Sequence, residues 1–138
     1  MKIEIEIPRI YTGSFDKIDK YRDANLSLIA VSYNKPDDAT DVKLINILAP
    51  EKSLMQGFKR GEINWMDFDI SYRQQISRTM DLKLLVRSLA CIGTVENTKG
   101  VILLSFEKQP FKSHRSILAD ILNKSKLIDV AVEEYKYR

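Results

Sequence analysis

Ile3, Ile5 and Ile7 alternate with Glu4 and Glu6, a period of two that predicts a strand with one face on a core and the other in water. Pro8 limits pairing late in that strand and puts it near a sheet edge. Phe15, Ile18 and Tyr21 recur at helical spacing, with Ser14 placed as an N-cap. From Leu26 to Tyr33 the chain is apolar nearly throughout, the pattern of a central strand covered on both faces. Asn34-Lys35-Pro36-Asp37-Asp38 is turn chemistry, because proline fixes φ and Asn and Asp bond their own backbone. Leu44 to Leu48 reads as a short strand or an extended stretch. Ala49-Pro50-Glu51 then opens a helix, with proline early and an acid in the positive first turn, and Gly61 ends it.

Trp65, Phe68, Tyr72 and Ile76 draw an aromatic stripe along a second helix, and Leu82, Leu85, Val86, Leu89 and Ala90 mark a third that stops at Gly93. Gly100 to Phe106 is a β-branched, apolar run of strand length and the best candidate for the centre of a sheet. Ser113 caps a helix whose face is Ile117, Leu118, Ile121 and Leu122, and Val130, Val132 and Tyr135 predict a final strand. Strands alternating with helices imply an α/β fold, a mostly parallel sheet of four to five strands covered by helices, because parallel neighbours need long crossovers. No repeat or flexible linker divides the chain, so residues 1–138 are expected to form a single domain.

Composition narrows the setting more than the chemistry. Hydrophobic residues make up 44% and charged residues 30% of the 138, enough apolar surface for one core and enough charge to stay dissolved. The start of the chain lacks the unbroken apolar stretch of a secretory signal, and no apolar run approaches the roughly 20 residues that span a bilayer. A cytoplasmic location with no membrane contact is therefore expected. The single cysteine, Cys91, cannot form an internal disulfide and reads as an inert thiol inside a helix. Net charge is +3, from 22 Lys and Arg against 19 Asp and Glu, too mild by itself to demand a polyanion.

Chemistry concentrates near residue 113. Ser113-His114-Arg115-Ser116 lies at a helix start, where unpaired amides favour an anion, and the Arg115 fork matches a phosphate or carboxylate. If the strands run parallel, this segment opens on the same carboxyl edge as Tyr33-Asn34-Lys35 and as Tyr11, Thr12, Gly13 and Ser14, read here as a turn after the first strand. Gly13 would permit close backbone approach, and Glu107 could accept a hydroxyl proton or orient His114, which makes these two the catalytic candidates. Plainer readings stand beside these. A serine at 113 is an ordinary cap, a histidine in a first turn can be merely solvated, and Lys108, Lys112, Lys124 and Lys126 read as a solvated basic rim. The aromatic stripe reads as core packing rather than a base-stacking platform. There is no Walker loop, Gly-x-Gly-x-x-Gly, paired cysteine, second histidine or Gly-x-Ser-x-Gly, so no metal and no cofactor are expected.

Three stretches resemble one family. Ile102-Leu103-Leu104-Ser105-Phe106-Glu107-Lys108 followed by Ser113-His114-Arg115-Ser116-Ile117-Leu118-Ala119 is similar to the strand, loop and Cys-His-Arg helix start of the domain-of-unknown-function 488 family. Leu48 to Leu54, through Trp65, Phe68, Tyr72 and Arg73, resembles another branch of that group, and Ile10-Tyr11-Thr12-Gly13-Ser14 resembles its opening strand and Thr-x-Gly-His-Ser turn. Ser113 stands where the family often has cysteine, the histidine of the opening turn is absent, and Ser32-Tyr33-Asn34 replaces an Asp-Val-Arg. The resemblance implies a fold and a site location rather than a reaction.

The favoured expectation is a protein that holds a phosphate-bearing or other anionic small molecule at the carboxyl edge of the sheet; whether it is an enzyme stays open. A nucleic-acid binding or modifying module using the basic 108–126 region is the alternative, and a protein-interaction role through the first strand or the C-terminal tail is a third; oligomeric state is left open.

Overall fold

The central sheet, in a computed structural model that describes residues 9–136, is built from β1 (Arg9–Ser14), β2 (Leu26–Ala30), β3 (Lys43–Leu44), β4 (Gly100–Ser105) and β5 (Glu133–Glu134). The strand order is β3-β2-β4-β1-β5, and every pairing in it is parallel. The helices are α1 (Ile18–Asp23), α2 (Lys52–Lys59), α3 (Trp65–Thr79), α4 (Leu82–Glu96) and α5 (His114–Lys124). The α/β class and parallel sheet expected from the alternating pattern are those observed.

β4 is buried at all six positions because both of its faces are covered. Val101 and Leu103 join Ile10, Ile29 and Val31 beneath α3, α4 and α5. Ile102 and Leu104 turn the other way and pack with Leu28, Ala30, Phe15 and Tyr21 on the α1 side. A continuous apolar run is what a strand with two buried faces needs.

The strand drawn from the isoleucine alternation at 3–7 lies outside the described residues. Four other expectations change, and the first is that Tyr11 to Ser14, read as a turn, is strand β1 in register with β4. Thr12 and Ser14 look loop-like in sequence, but both are buried on the strand. α4 runs through Gly93 to Glu96: Gly93 is buried on the packed face, and Asn97, at φ 55°, supplies the left-handed end. Cys91 is exposed rather than in the core, because it sits one position off the face formed by Leu89, Ala90 and Gly93. Ser14 and Ser113 occupy N-cap positions, yet neither side chain makes a capping hydrogen bond. Among the described residues no helix is long and apolar enough to cross a membrane.

The strand order also locates a crevice. β2 and β4 are neighbours, but the chain leaves β2 toward β3 and leaves β4, through α5, toward β5 on the opposite side of the sheet. Connections that depart in opposite directions from adjacent parallel strands leave an opening at their carboxyl ends, and ligands of open α/β sheets bind in such openings.

Candidate functional site at the carboxyl ends of β2 and β4

A cavity of about 650 Å³ occupies this crevice. Ser32, Tyr33 and Asn34 enter it from the end of β2, Phe106 and Glu107 from the end of β4, and His114 from the first residue of α5. The far wall is Ala49 and Pro50, continued by Lys52, Met55, Gln56 and Lys59 of α2. Those four residues fall at i, i+3, i+4 and i+7, so one stripe of α2 faces the opening and carries an ammonium at each end. The Lys52 ammonium rests over the Tyr33 ring, 5.4 Å from its centroid.

Helix α3 fixes that wall. The Tyr72 hydroxyl donates to the Leu48 carbonyl at 2.6 Å, and the Gln75 amide donates to the Ala49 carbonyl at 2.7 Å while accepting from the Glu51 amide at 2.8 Å. Burial holds the Tyr72 phenol far above its ordinary pKa, so it remains a neutral donor. The aromatic stripe is thus core, as expected: Phe68 and Tyr72 are buried and stack along the helix.

His114 is only 2% exposed. Its Nε2 lies 2.7 Å from the Val31 carbonyl, which can only accept, so Nε2 carries a hydrogen. Its Nδ1 is buried without a hydrogen-bond partner and stands 3.4 Å from Glu107 Oε1, a loose ion-pair distance. Burial by itself would raise the Glu107 pKa. The contacts with His114, the residue's own backbone and Ser105 outweigh it and bring the carboxyl down to about 2. Glu107 is therefore an ionised carboxylate on the cavity wall throughout the neutral range.

Arg115 points away from the cavity into the protein and has no exposed surface. Its Nε and Nη2 donate to the two oxygens of Glu134 at 3.0 and 2.7 Å, a bidentate pair, and Thr12 Oγ1 donates to the same carboxylate at 2.7 Å. Its Nη1 donates to Ser105 Oγ at 2.8 Å and to the Glu107 carbonyl at 2.6 Å. Thr12 and Arg115 are thus brought together by Glu134 of β5. Gly13 admits a close neighbour, and that neighbour is Tyr21: a Cβ at Gly13 would lie 2.5 Å from the Tyr21 hydroxyl.

Of the residues singled out in the sequence, His114 and Glu107 line the cavity, with Tyr33 and Asn34 beside them. Tyr11, Thr12, Gly13, Ser14, Ser113 and Arg115 do not, and the hydroxyls of Ser14 and Ser113 are buried without partners. Tyr11 packs edge-on against Tyr135. The basic rim also lies off the lining: Lys124 is paired with Asp120 at 2.9 Å, the Lys112 ammonium lies 5.5 Å from the Phe111 centroid, and Lys108 and Lys126 are exposed. Lys52, Met55, Gln56, Lys59 and Phe106 were missed. The signal available was the lysine pair seven residues apart on one stripe of α2, which acquires meaning only once the sheet order places that stripe opposite His114.

A family model named DUF488-N3a and described as "Active DUF488-N3 subclade" matches residues 20–126. No curated protein and no solved structure matches the chain.

Proposed function

The chain belongs to the domain-of-unknown-function 488 family, and from that premise we propose that it binds a phosphate-bearing or other anionic small molecule in the cavity between β2 and β4. The observation that carries this reading is that Lys52 and Lys59, on one stripe of α2, share one concave space with His114 and Glu107. Lysine ammonium groups attract an anion as point charges, and low-dielectric walls such as Ala49, Pro50 and Met55 strengthen that attraction over its value in water. Glu107 and His114 are the groups placed to act on a bound molecule. Arg115, Thr12 and Glu134 serve from behind: through the Glu107 carbonyl and Ser105 they hold the loop that presents the Glu107 carboxylate.

The same observation separates this reading from nucleic-acid binding through the basic 108–126 region. Lys124 spends its charge on Asp120, whereas Lys52 and Lys59 share a cavity. Thermal-shift measurements with inorganic phosphate and phosphorylated metabolites test the proposal. A ligand present at a hundred times its Kd should stabilise the fold by about 2.7 kcal/mol, a rise of several degrees in Tm, and the Lys52→Ala/Lys59→Ala double variant should lose most of that rise. No stabilisation by any anion, or the same rise in the double variant, removes the reading.

A further inference from the structure

We propose that the anionic ligand is a flat heteroaromatic phosphate of nucleoside 5′-monophosphate size, its phosphate toward α2, its ring on Phe106 and its hydroxyls toward Glu107. The inference rests on the cavity reading above and adds the class of molecule.

Size comes first. A cavity of about 650 Å³ lies inside the range of roughly 300–1,000 Å³ that holds whole small molecules, and is far larger than a bare phosphate fills. Charge is then segregated within it. Lys52 and Lys59 stand on the α2 wall, and Glu107, the only carboxylate on the lining among the described residues, stands on the β4 wall beside His114. A second anionic group is unwelcome at that end, whereas hydroxyl or N–H donors are suited to it, because an ionised carboxylate only accepts. The ligand is thus bipolar, with one anionic end and one donor-bearing end. Beside Glu107, at the same β4 end, stands an aromatic side chain. Phe106 packs against Phe15, with ring centroids 4.5 Å apart, yet is 53% exposed, and it is one of the residues lining the cavity. A large aromatic side chain left open beside a pocket offers a stacking face, and nucleobases stack on such faces. Asn34 and Gln56, both on the lining, carry amides that can donate to and accept from a heterocycle edge.

Titration calorimetry on the full chain decides the matter with three probes: inorganic phosphate, ribose 5-phosphate and a panel of the common nucleoside 5′-monophosphates. At least one monophosphate should bind roughly tenfold or more tightly than ribose 5-phosphate, the gain a single stacked base gives. Phe106→Ala should abolish that gain and leave the ribose 5-phosphate affinity within about twofold, and Phe106→Leu, which keeps the packing on Phe15, should do the same. If ribose 5-phosphate binds and no base improves on it, or if both Phe106 variants retain the gain, the heteroaromatic class is overturned while the anion site stands. If no phosphate compound binds at all, the underlying site falls as well.

Discussion

Arg115 is the side chain whose loss should be felt most. It has no exposed surface, and its removal leaves the Glu134 carboxylate, the Ser105 hydroxyl and the Glu107 carbonyl short of their donor at once. Breaking a buried ion pair from one side costs roughly 3–5 kcal/mol, so Arg115→Ala should lower the urea midpoint severely. Arg115→Lys should recover only part of the loss, because an ammonium cannot reproduce the fork; full recovery by lysine would show that charge alone, not bidentate geometry, holds β5 to α5. Glu107 is subtler. Its pKa in the folded chain, about 2, lies below its ordinary 4.5, so the ionised form favours folding; that contribution is complete above pH 4.5 and is lost as pH falls through 2. The separation corresponds to about 3 kcal/mol for a fully enclosed group, and screening of a side chain 33% exposed reduces it to about 1–2 kcal/mol. Denaturation curves collected from pH 6 down to pH 2 should show the wild type losing stability in that window and Glu107→Gln losing less; parallel curves would mean that the His114 contact contributes nothing to the acid limb.

Among the secondary elements, two glycines separate a close backbone approach from a mere gap. A Cβ at Gly100 would lie 2.6 Å from the Arg9 carbonyl oxygen, which belongs to the paired strand β1 and cannot move without prising the strands apart. A Cβ at Gly57 would meet the end of the Ile63 side chain at 2.5 Å, which can rotate, and alanine inside α2 gains about 1 kcal/mol of helix propensity. Gly100→Ala should therefore cost about 2–3 kcal/mol and Gly57→Ala should stay within about 1 kcal/mol of neutral, both by chemical denaturation; a reversed order would mean that the β1 and β4 backbones yield more readily than one isoleucine side chain. What could be read in the sequence follows the same division. β4 and the buried stripes of α3 and α5 were legible because apolar spacing is set locally, by the faces each element must bury. The strand at Tyr11 to Ser14 was not, since the acid that accepts from its buried Thr12 hydroxyl, Glu134, lies far along the chain, and the hydroxyl that accepts from its Ser14 amide comes from Tyr21 on α1. His114 and Glu107 could be found as residues after a strand and at a helix start. Lys52 and Lys59 could not, because only the crossover from β3 through three helices to β4 turns their stripe toward the crevice.

For the molecule as a whole, the sheet order makes β4 the piece on which the rest depends. β1 and β2 are not paired with each other; each pairs with β4, in registers that join Arg9 and Leu26 to Gly100. Among the described residues, β3 and β5 are two-residue edge strands, each paired on one side, and both residues of β3 are exposed. Opening an edge strand breaks few contacts, while freeing the amides of β4 requires losing both neighbours and both helical faces together, which amounts to global unfolding. Hydrogen exchange should then grade outward: Ile102, Leu103 and Leu104 should open with free energies close to that of the whole fold, the amides of β1 and β2 slightly below, and the edge amides of Ile45 and Tyr135, which donate to Ala30 and Thr12, several kcal/mol lower. Arg115 adds a discrimination between the two edges. Its bidentate hold on Glu134 ties β5 to a buried side chain, whereas β3, among the described residues, has the exposed pair of Lys43 with Glu96, so β5 should exchange more slowly than β3. Equal protection at the two edges would show that the buried pair confers no local stability on β5, and protection in β4 no greater than at the edges would contradict its place as the strand that unites the sheet.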